Sequence, residues 1–555
     1  MTVRTFPSRL SLAWMCLIGA AVLIGAYVRL DQVLSQVLID DEWHAVHRLL
    51  RSTPAAMYLD FGFADYSIPL GILDWYEARW IGLSEISMRA PMMLSGLATL
   101  VVLPLYVARR LSWAAAALFA MLIAISPLLV IYSRMARPYA ITLLLAWVAH
   151  AVFQRYCAAT RGAIAAGVVY GAATVGAIWL HPIIAPFALA PFLWGAFAQR
   201  HAAPAVRRRQ LIRLTMLALP TGAFTAALVL PPFIANAHSL AGKTGVDAPD
   251  LGTLVGVWYA WLGTPSTGAV VLCIALAAYG ARDVWRALPE ARTGVLGVLL
   301  TLLAVLATRP MWSFHPIALA RYLLPFVPLL LLAVAAGAIR AARRASAAPI
   351  ALRKGLAIGI GVLPCVALAV ESPLQQLLRH PNSHTVHLVY HFDFRPAMNP
   401  YLQYMEGIPL SPFWAGLAVS PAGSVRVAVA PFHFESYNWD APRWERQSRQ
   451  AVLPGYLTGL CVDKRAGEVP LDPAFRFRNA VHLADGGALA RRRIDYVVWQ
   501  KPYVRVIDNR PEAIGADVAQ CEAALRSTFG SPAFEDSTLI AFRLAPARAS
   551  SDAPR

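Results

Sequence analysis

Long apolar runs recur through the first two thirds of this chain of 555 residues. A helix needs about 18 consecutive apolar residues to cross the hydrocarbon core of a bilayer, and runs near that length continue to about residue 371. The composition agrees, because only 14% of the residues are charged, against about 25% in soluble proteins. The sequence therefore predicts a polytopic α-helical membrane protein. The eleven predicted spans cover residues 11–29, 90–108, 112–131, 139–154, 163–180, 182–199, 211–232, 265–280, 294–308, 318–339 and 355–371.

The positions of the basic residues explain the net charge of +18. Arginines concentrate in alternating connections between the predicted spans, as in the runs Arg109–Arg110, Arg207–Arg209 and Arg343–Arg344. This is the positive-inside pattern, which places those connections and the N-terminus in the cytoplasm. We therefore assign the charge to membrane topology and expect contact with membrane lipids, and no nucleic-acid partner.

The first apolar run allows two readings. A short basic start followed by an apolar stretch is also typical of a cleaved signal peptide. We expect retention as a span, because no small-residue cleavage site separates it from Asp31. Residues 31–89 lie outside the cytoplasm in either case.

Two regions outside the predicted spans are large. Residues 31–88 form a loop whose later part, IPLGILDWYEARWIGL, has the aromatic and aliphatic residues of a helix lying in the membrane interface. Residues 373–555 read as a soluble α/β domain on the outer face. Its predicted strands are 424–430, 494–500 and 537–544, and its predicted helices are 440–457 and 514–529. We therefore predict a membrane domain, residues 1–372, that includes the loop, and an outer domain, residues 373–555.

The outer region contains two cysteines, Cys461 and Cys521. In an oxidising compartment they could form a disulfide, and two free thiols are the alternative.

Three consecutive carboxylates, Asp40, Asp41 and Glu42, occur in the first outer loop within the stretch QVLIDDEWHAVHRLL. A carboxylate close to the membrane and facing water can accept a proton from a hydroxyl nucleophile during group transfer. The alternative is a solvated helix start, because acidic residues are favoured in a first helical turn.

Histidines provide two candidate metal sites. Asp40, His44 and His47 would share one helix face, on which they could ligate a divalent cation, although packing or surface histidines are the commoner case. A second group follows the last predicted span, and consists of His380, His384, His387 and His391. The sequence therefore leaves open whether the protein binds a divalent metal, and it indicates no other cofactor.

Short turns on the outer side carry isolated cations and polar groups. Guanidinium groups bind phosphate oxygens in a forked geometry, whereas the alternative for an arginine at a membrane boundary is to extend its charge towards water. The candidate phosphate-binding residues are Arg134, Arg137, His181, Arg321 and Tyr322. The sequence contains no Walker A loop and no dinucleotide-binding glycine signature in its usual strand-turn-helix context.

These motifs together resemble the GT-C integral-membrane glycosyltransferases. The similarity is carried by the acidic DE motif of the first outer loop, the Arg89-Ala-Pro91 entry to the second span, and the stretches SPLLVIYSRMARPYA, HP and RYLLPFVPLLLL. It is strongest to the family of bacterial aminoarabinose transferases and protein O-mannosyltransferases, and covers roughly residues 10–340.

The resemblance implies transfer of a sugar from a polyprenyl-phosphate carrier to a hydroxyl acceptor at the outer face of a bacterial inner membrane. The acceptor would be an envelope glycan, a lipid or a protein. Asp41 matches the family's general base and Glu42 its acidic companion, and Asp40 is an additional carboxylate. Arg137, His181 and Arg321 match positions that tend to face the donor phosphate. The turn at 132–137 lacks the second carboxylate of some relatives, so a two-carboxylate, metal-assisted scheme does not carry over.

Three other functions remain as alternatives. A transporter or flippase predicts ionisable residues near the bilayer midplane and often internal repeats, and the sequence shows few of the first and none of the second. A non-catalytic envelope assembly protein predicts that the acidic triplet is dispensable. A lipid-linked polymer ligase would transfer a whole glycan instead of one sugar.

Overall fold

The structure is a computed structural model of the full chain. It describes residues 9–31, 33–34, 36, 38, 40–62, 67–158, 162–245, 247–345, 353–370, 372–375, 409–430, 441–458, 473–478, 480–482, 486–501, 504–507, 510–513 and 518–544. The chain forms two compact units. The first comprises residues 1–31, 53–72 and 89–375, and the second comprises residues 32–52, 73–88 and 376–555.

Helices account for nearly all the described structure before residue 375. They are α1 (Arg9–Leu30), α2 (Asp40–Arg51), α3 (Pro54–Tyr58), α4 (Ile68–Trp80), α5 (Glu85–Arg110), α6 (Trp113–Ala124), α7 (Pro127–Ser133), α8 (Tyr139–Ala158), α9 (Ala163–Leu180), α10 (Ala185–Ala198), α11 (Pro204–Ala235), α12 (Ala237–Ala241), α13 (Leu251–Leu262), α14 (Thr267–Ala287), α15 (Pro289–Thr308), α16 (Pro316–Tyr322), α17 (Val327–Ala345) and α18 (Arg353–Val370). Short 3-10 turns cover Pro182–Ile184, Gln199–His201 and Leu324–Phe326.

The predicted class, a polytopic α-helical membrane protein, is confirmed. Within the described residues, 9 helices are long and apolar enough to cross a membrane, or up to 10 if one bent pair is a single span. The sequence predicted eleven, and the difference has two local causes. The predicted span 112–131 is the bent pair α6 and α7. The predicted span 355–371 corresponds to α18, whose apolar part, Ile358–Val370, is shorter than a full span.

The bend between α6 and α7 is 62° and has a clear chemical basis. Pro127 occupies the first turn of α7, where a proline removes no hydrogen bond. The guanidinium of Arg29, at the end of α1, donates hydrogen bonds to the carbonyl oxygens of Ile123 and Ala124 at 3.1 and 3.2 Å. Arg29 is 2% exposed, so a buried cation satisfies the carbonyl groups that the break leaves open.

The second unit contains a six-stranded mixed sheet. Its strands are β1 (Arg426–Ala430), β2 (Ala451–Thr458), β3 (Ala480–His482), β4 (Tyr496–Gln500), β7 (Phe534–Glu535) and β8 (Leu539–Arg543), in the order β3-β2-β1-β4-β8-β7, and a separate hairpin pairs β5 (Val504–Ile507) with β6 (Arg510–Ala513). The pairs from β3 to β4 are parallel, whereas β8 is antiparallel to β4 and to β7.

Both faces of the sheet are covered. On one face, Val497, Trp499, Ile540 and Phe542 form a core with Cys521 of the helix Val518–Phe529. On the other face, a short helix, Pro412–Leu417, places the ring of Phe413 5.5 Å from that of Tyr496 and the ring of Trp414 5.0 Å from that of Trp444, between centroids.

Most of the predicted elements of this region are confirmed, with one correction. The three predicted strands correspond to β1, β4 and β8, and the predicted helix 514–529 corresponds to Val518–Phe529. The helix predicted over 440–457 is wrong in its second half, because it ends at Ser448 and residues 451–458 form β2. Parallel pairing of β2 with both β1 and β3 overrides the helical spacing of the sequence.

Candidate functional site

The acidic triplet opens helix α2. Asp40 and Asp41 are the first two helical residues, and their side chains lie outside the described part of the structure. Glu42 is completely buried in the second unit, at 0% exposure. The reading of the triplet as a fully solvated helix start is therefore wrong for Glu42. Acidic residues are common in a first helical turn, because it lies at the positive end of the helix dipole.

The buried face of α2 is centred on Trp43. Its ring lies 5.6 Å from that of Phe477 and 6.0 Å from that of His47, between centroids, and its Nε1 donates to the carbonyl oxygen of Leu38 at 3.0 Å. Burial, followed by the nearby charges of His44 and Arg51, lowers the pKa of His47 to about 3. His47 is therefore a neutral packing histidine at physiological pH.

A short segment, residues 473–478, joins these parts of the second unit. The amide of Leu83 donates to the carbonyl of Ala474, and the amide of Arg476 donates to the carbonyl of Leu83, each at 2.7 Å. The amide of Arg478 donates to both carboxylate oxygens of Glu85 at 2.9 and 3.1 Å. Much of the first outer loop thus folds with the C-terminal region, whereas the sequence assigned the whole loop to the membrane domain.

The metal predictions remain untested. Within the described residues, no three His, Cys, Asp or Glu side chains are grouped so that they could hold a metal ion. The second histidine group, His380 to His391, and Cys461 lie outside the described residues. Cys521 is disulfide-bonded, so its free-thiol alternative does not hold.

The first unit brings three of the predicted phosphate-binding residues together at breaks between helices. Arg137 lies in the turn between α7 and α8, His181 lies between α9 and the turn Pro182–Ile184, and Arg321 lies in the last turn of α16. Arg137 and His181 are each 6% exposed, and both arginines are close enough to act electrostatically on the imidazole. We call Arg137, His181 and Arg321 the cation cluster.

Two tyrosines frame the cation cluster. The ring centroid of His181 lies 5.1 Å from that of Tyr139 and 6.1 Å from that of Tyr322. The guanidinium carbon of Arg321 lies 5.8 Å from the Tyr139 ring and 5.3 Å from the Tyr322 ring, at distances typical of cation-π contact. Both tyrosines are buried, so aromatic rings fix the positions of the cations.

The protonation state of His181 follows from this setting. Burial, followed by the positive charges of Arg321 and Arg137, lowers the pKa of His181 to about 3. The imidazole is therefore neutral at physiological pH, and the cluster consists of two guanidinium cations with a polar ring between them. Such a group can bind an anion with two or three oxygen acceptors, such as a phosphate.

Arg134 occupies a different place from the cation cluster. It is 1% exposed, and its Nη1 donates to the carbonyl oxygen of Val28 at 2.8 Å. Burial and the charge of Arg89 lower the pKa of Arg134 to about 10, and Asp31 acts in the opposite direction. Arg134 and Arg89 thus form a second buried pair of cations, next to Asp31.

Two further residues border the cluster. Tyr139 belongs to the same predicted outer turn as Arg137. His315, which precedes α16 and was absent from the predicted site, is close enough to Arg321 for that charge to lower its pKa, after burial, to about 4. The signal for His315 was present in the stretch FHPIALARY, in which an imidazole precedes the short helix whose last turn contains Arg321.

The fold and these residues define a multi-pass membrane protein with a buried arginine-histidine-tyrosine group at its helix breaks. Structural comparison finds ArnT from Cupriavidus metallidurans in the apo state, with a TM-score of 0.43 and 13% identity over 96% of this chain and 98% of that chain. The same ArnT bound to undecaprenyl phosphate matches with a TM-score of 0.40 and 14% identity over 98% and 99% of the two chains.

The archaeal oligosaccharyltransferase AglB from Archaeoglobus fulgidus, in complex with an inhibitory peptide and a dolichol-phosphate, also matches. Its TM-score is 0.40, with 13% identity over 88% of this chain and 69% of that chain. No family model and no curated protein sequence matches the chain. Each of these structural matches covers 88% or more of this chain, at 13–14% sequence identity.

Proposed function

We propose that the chain is a glycosyltransferase that moves a sugar from a polyprenyl-phosphate carrier to an acceptor hydroxyl. The observation that carries the proposal is the cation cluster, in which two arginines from separate helix breaks approach one neutral histidine. A lipid-linked sugar keeps its phosphate at the membrane boundary, where spanning helices end. The cluster provides guanidinium donors at helix ends of this kind, held by buried tyrosine rings.

The proposed reaction forms one bond and breaks one. The acceptor oxygen attacks the anomeric carbon, and the bond between that carbon and the phosphate oxygen breaks, with inversion at the carbon. The acceptor proton passes to Asp41, and the polyprenyl phosphate leaves with the extra negative charge. Arg137 and Arg321 stabilise that charge as it develops, which is electrostatic stabilisation of the leaving group.

Asp40 and Glu42 have secondary roles in this proposal. Asp40 precedes Asp41 in the first turn of α2, so it is the residue that would replace Asp41 as the base. Glu42 is buried, which suits a residue that positions the helix start better than one that meets the acceptor. Tyr322 and His181 hold the arginines in place, and Arg134 is a further phosphate candidate.

We place the reaction at the outer face of a bacterial inner membrane. The positive-inside distribution of arginines supports this orientation. The C-terminal region would then lie in the periplasm and help to admit an envelope glycan, lipid or protein acceptor. A divalent metal is compatible with the proposal, and no step depends on one.

The test uses membranes from cells that express the chain, incubated with a panel of polyprenyl-phosphate sugars. Loss of sugar from each lipid is compared for the native chain, Asp41→Asn and Asp40→Asn. Turnover that disappears in Asp41→Asn supports the proposal and identifies the donor. Loss of turnover in Asp40→Asn alone would still support a glycosyltransferase, with Asp40 in place of Asp41 as the general base. Equal turnover in all three would remove the triplet from the mechanism, and no turnover of any donor would contradict the proposal.

A transporter is the second candidate, because spanning helices contain buried ionisable groups. The carboxylate of Glu290 accepts a hydrogen bond from the hydroxyl of Tyr106 at 2.5 Å, and the ring nitrogens of His150 lie 2.8 Å from the Thr293 hydroxyl and 2.9 Å from the Phe187 carbonyl oxygen. Intramembrane ionisable residues often mark transport pathways. If the chain is a transporter, the native chain should remove sugar from no donor, and Glu290→Gln should abolish transport. Turnover of a donor that depends on Asp41 would instead support sugar transfer.

A further inference from the structure

The first unit contains a basic groove. It lies between the start of α6 and the C-terminal ends of α14 and α17. Its volume is about 380 Å³, and it is open to solvent. Its polar lining is Ser112, Asp283, Arg286, Arg340 and Arg343, and its apolar lining includes Ala115 and Ile339. The cation cluster contains none of these residues, so the groove is a separate feature.

The helices α14 and α17, which form two sides of the groove, are in close contact about one helical turn before it. A Cβ atom built on Gly280 would collide with the backbone of Ala333 and Gly337, and one built on Gly337 would collide with the carbonyl group of Leu276. The two backbones therefore touch, and the space between the helices opens only beyond this crossing. The groove is a consequence of rigid packing, since the helix separation is fixed by the glycines.

The arginine nearest the crossing is fixed in position. The Nη1 of Arg340 donates to the carbonyl oxygen of Tyr279 at 3.2 Å and lies 3.7 Å from a carboxylate oxygen of Asp283. Its guanidinium carbon lies 4.6 Å from the centroid of the Tyr279 ring. A guanidinium has five N–H donors, so these contacts orient Arg340 and leave donors for a ligand.

The charge of the lining favours an anion. Arg286, Arg340 and Arg343 contribute three positive charges against the single carboxylate of Asp283. Arg286 and Arg343 are exposed, so their side chains can reach a ligand from the solvent side of the groove. Guanidinium groups on two sides of a groove match the oxygens of a phosphate.

We propose that this groove binds the phosphodiester headgroup of an anionic membrane phospholipid. The apolar wall of Ala115, Ala336 and Ile339 lies beside the arginines, which suits the glycerol backbone and acyl carbons better than a free phosphate. Trp285, next to Arg286 in the chain, is 41% exposed, as is typical of a residue at the membrane interface. Basic pockets between spanning helices are the usual sites for anionic headgroups.

The test measures lipid binding to the purified full chain in detergent, through the shift in Tm as lipid is added. Phosphatidylglycerol, phosphatidylcholine and inorganic phosphate are titrated separately. We expect phosphatidylglycerol to bind and the other two to bind at least tenfold more weakly. The double variant Arg286→Gln with Arg343→Gln should bind phosphatidylglycerol about thirtyfold more weakly, because each basic residue near an anionic headgroup contributes about fivefold.

Two further variants separate the site from general effects on folding. Asp283→Asn removes the one negative charge and should strengthen phosphatidylglycerol binding several-fold, an effect of opposite sign that misfolding cannot produce. The matched control, Arg207→Gln with Arg208→Gln, removes two exposed arginines of α11 outside the groove and should leave binding unchanged. The proposal would be overturned by equal affinity for phosphatidylglycerol and phosphatidylcholine, or by an equal loss of phosphatidylglycerol binding in the control variant. It would also be overturned if inorganic phosphate at the same concentration competed with phosphatidylglycerol.

Discussion

The imidazole of His181 lies 5.1 Å from the phenol ring of Tyr139, between ring centroids, although the two residues belong to different helix breaks. Tyr139 begins α8 and His181 follows the last residue of α9. The contact therefore joins the adjacent ends of two antiparallel spans. It also holds the neutral imidazole beside the two arginines of the cation cluster, and the consequences of that placement can be measured.

The neutral state of His181 predicts a loss of stability in acid. Its pKa is lowered to about 3, so between pH 6.5 and pH 3 the unfolded chain binds a proton that the folded chain does not. The free energy of unfolding therefore falls as the pH decreases below 6.5, by about 2 kcal/mol at pH 5 from this residue. His181→Asn should reduce the difference in Tm between pH 7 and pH 5, measured in detergent. An unchanged difference would contradict a buried neutral imidazole.

Removing one guanidinium of the cation cluster should reduce sugar transfer. Arg137→Gln is expected to lower turnover by roughly 100- to 1,000-fold, because one donor to the developing phosphate charge is lost. Arg137→Lys keeps the positive charge but loses the two-pronged donor geometry of the guanidinium, so its rate should lie between those of the native chain and Arg137→Gln. The measurement is the initial rate with the polyprenyl-phosphate sugar found in the donor assay. The exposed residue Arg208 provides the control, and a loss as large in Arg208→Gln would show a general effect of charge.

Trp43 should be important for the stability of the second unit. It is 2% exposed and packs on Phe477, so Trp43→Ala is expected to cost about 3–5 kcal/mol in the free energy of unfolding. Trp43→Phe keeps most of the packing and loses the hydrogen bond to the carbonyl of Leu38, at about 1 kcal/mol. Limited proteolysis of the purified chain would reveal the difference. Equal protease resistance of native chain and Trp43→Ala would contradict this packing.

Arg29 should stabilise the bend between α6 and α7. Arg29→Met preserves the length of the side chain and removes the donors to Ile123 and Ala124, which leaves buried carbonyl groups without those hydrogen bonds. We expect a loss of about 2–4 kcal/mol, seen as a lower Tm in detergent. Arg208→Met, on an exposed face of α11, should change the Tm little.

The contact between α14 and α17 should not tolerate a methyl group. Gly337→Ala places a Cβ atom against the backbone of Leu276 and is expected to destabilise the chain by at least 1–3 kcal/mol. Gly222→Ala is the matched control, because nothing lies within 4 Å of a Cβ at that helical position. Alanine there should be neutral or stabilising, since it has the higher helix propensity. Similar Tm values for the two variants would contradict the close crossing.

The sequence by itself determined the class of the protein. Apolar runs of the required length indicate the spanning helices, and short apolar runs with β-branched and aromatic residues indicate the strands β1, β4 and β8. Both signals are local. The sequence also selected Arg137, His181, Arg321 and Tyr322 as candidates. Arg137 and His181 lie just outside predicted spans, and Arg321 and Tyr322 lie near the start of the span predicted over 318–339. Charged and polar side chains are tolerated at such span ends.

Only the tertiary structure decided which candidates meet. Arg137, His181 and Arg321 come together because helix ends from distant parts of the chain are packed at one place, whereas Arg134 turns to the carbonyl of Val28. The strand β2 was missed because its partners lie in other parts of the chain, and the break in the span 112–131 depends on Arg29 of α1. Local patterns specify elements, but the environment of a buried charge depends on groups that are remote in sequence.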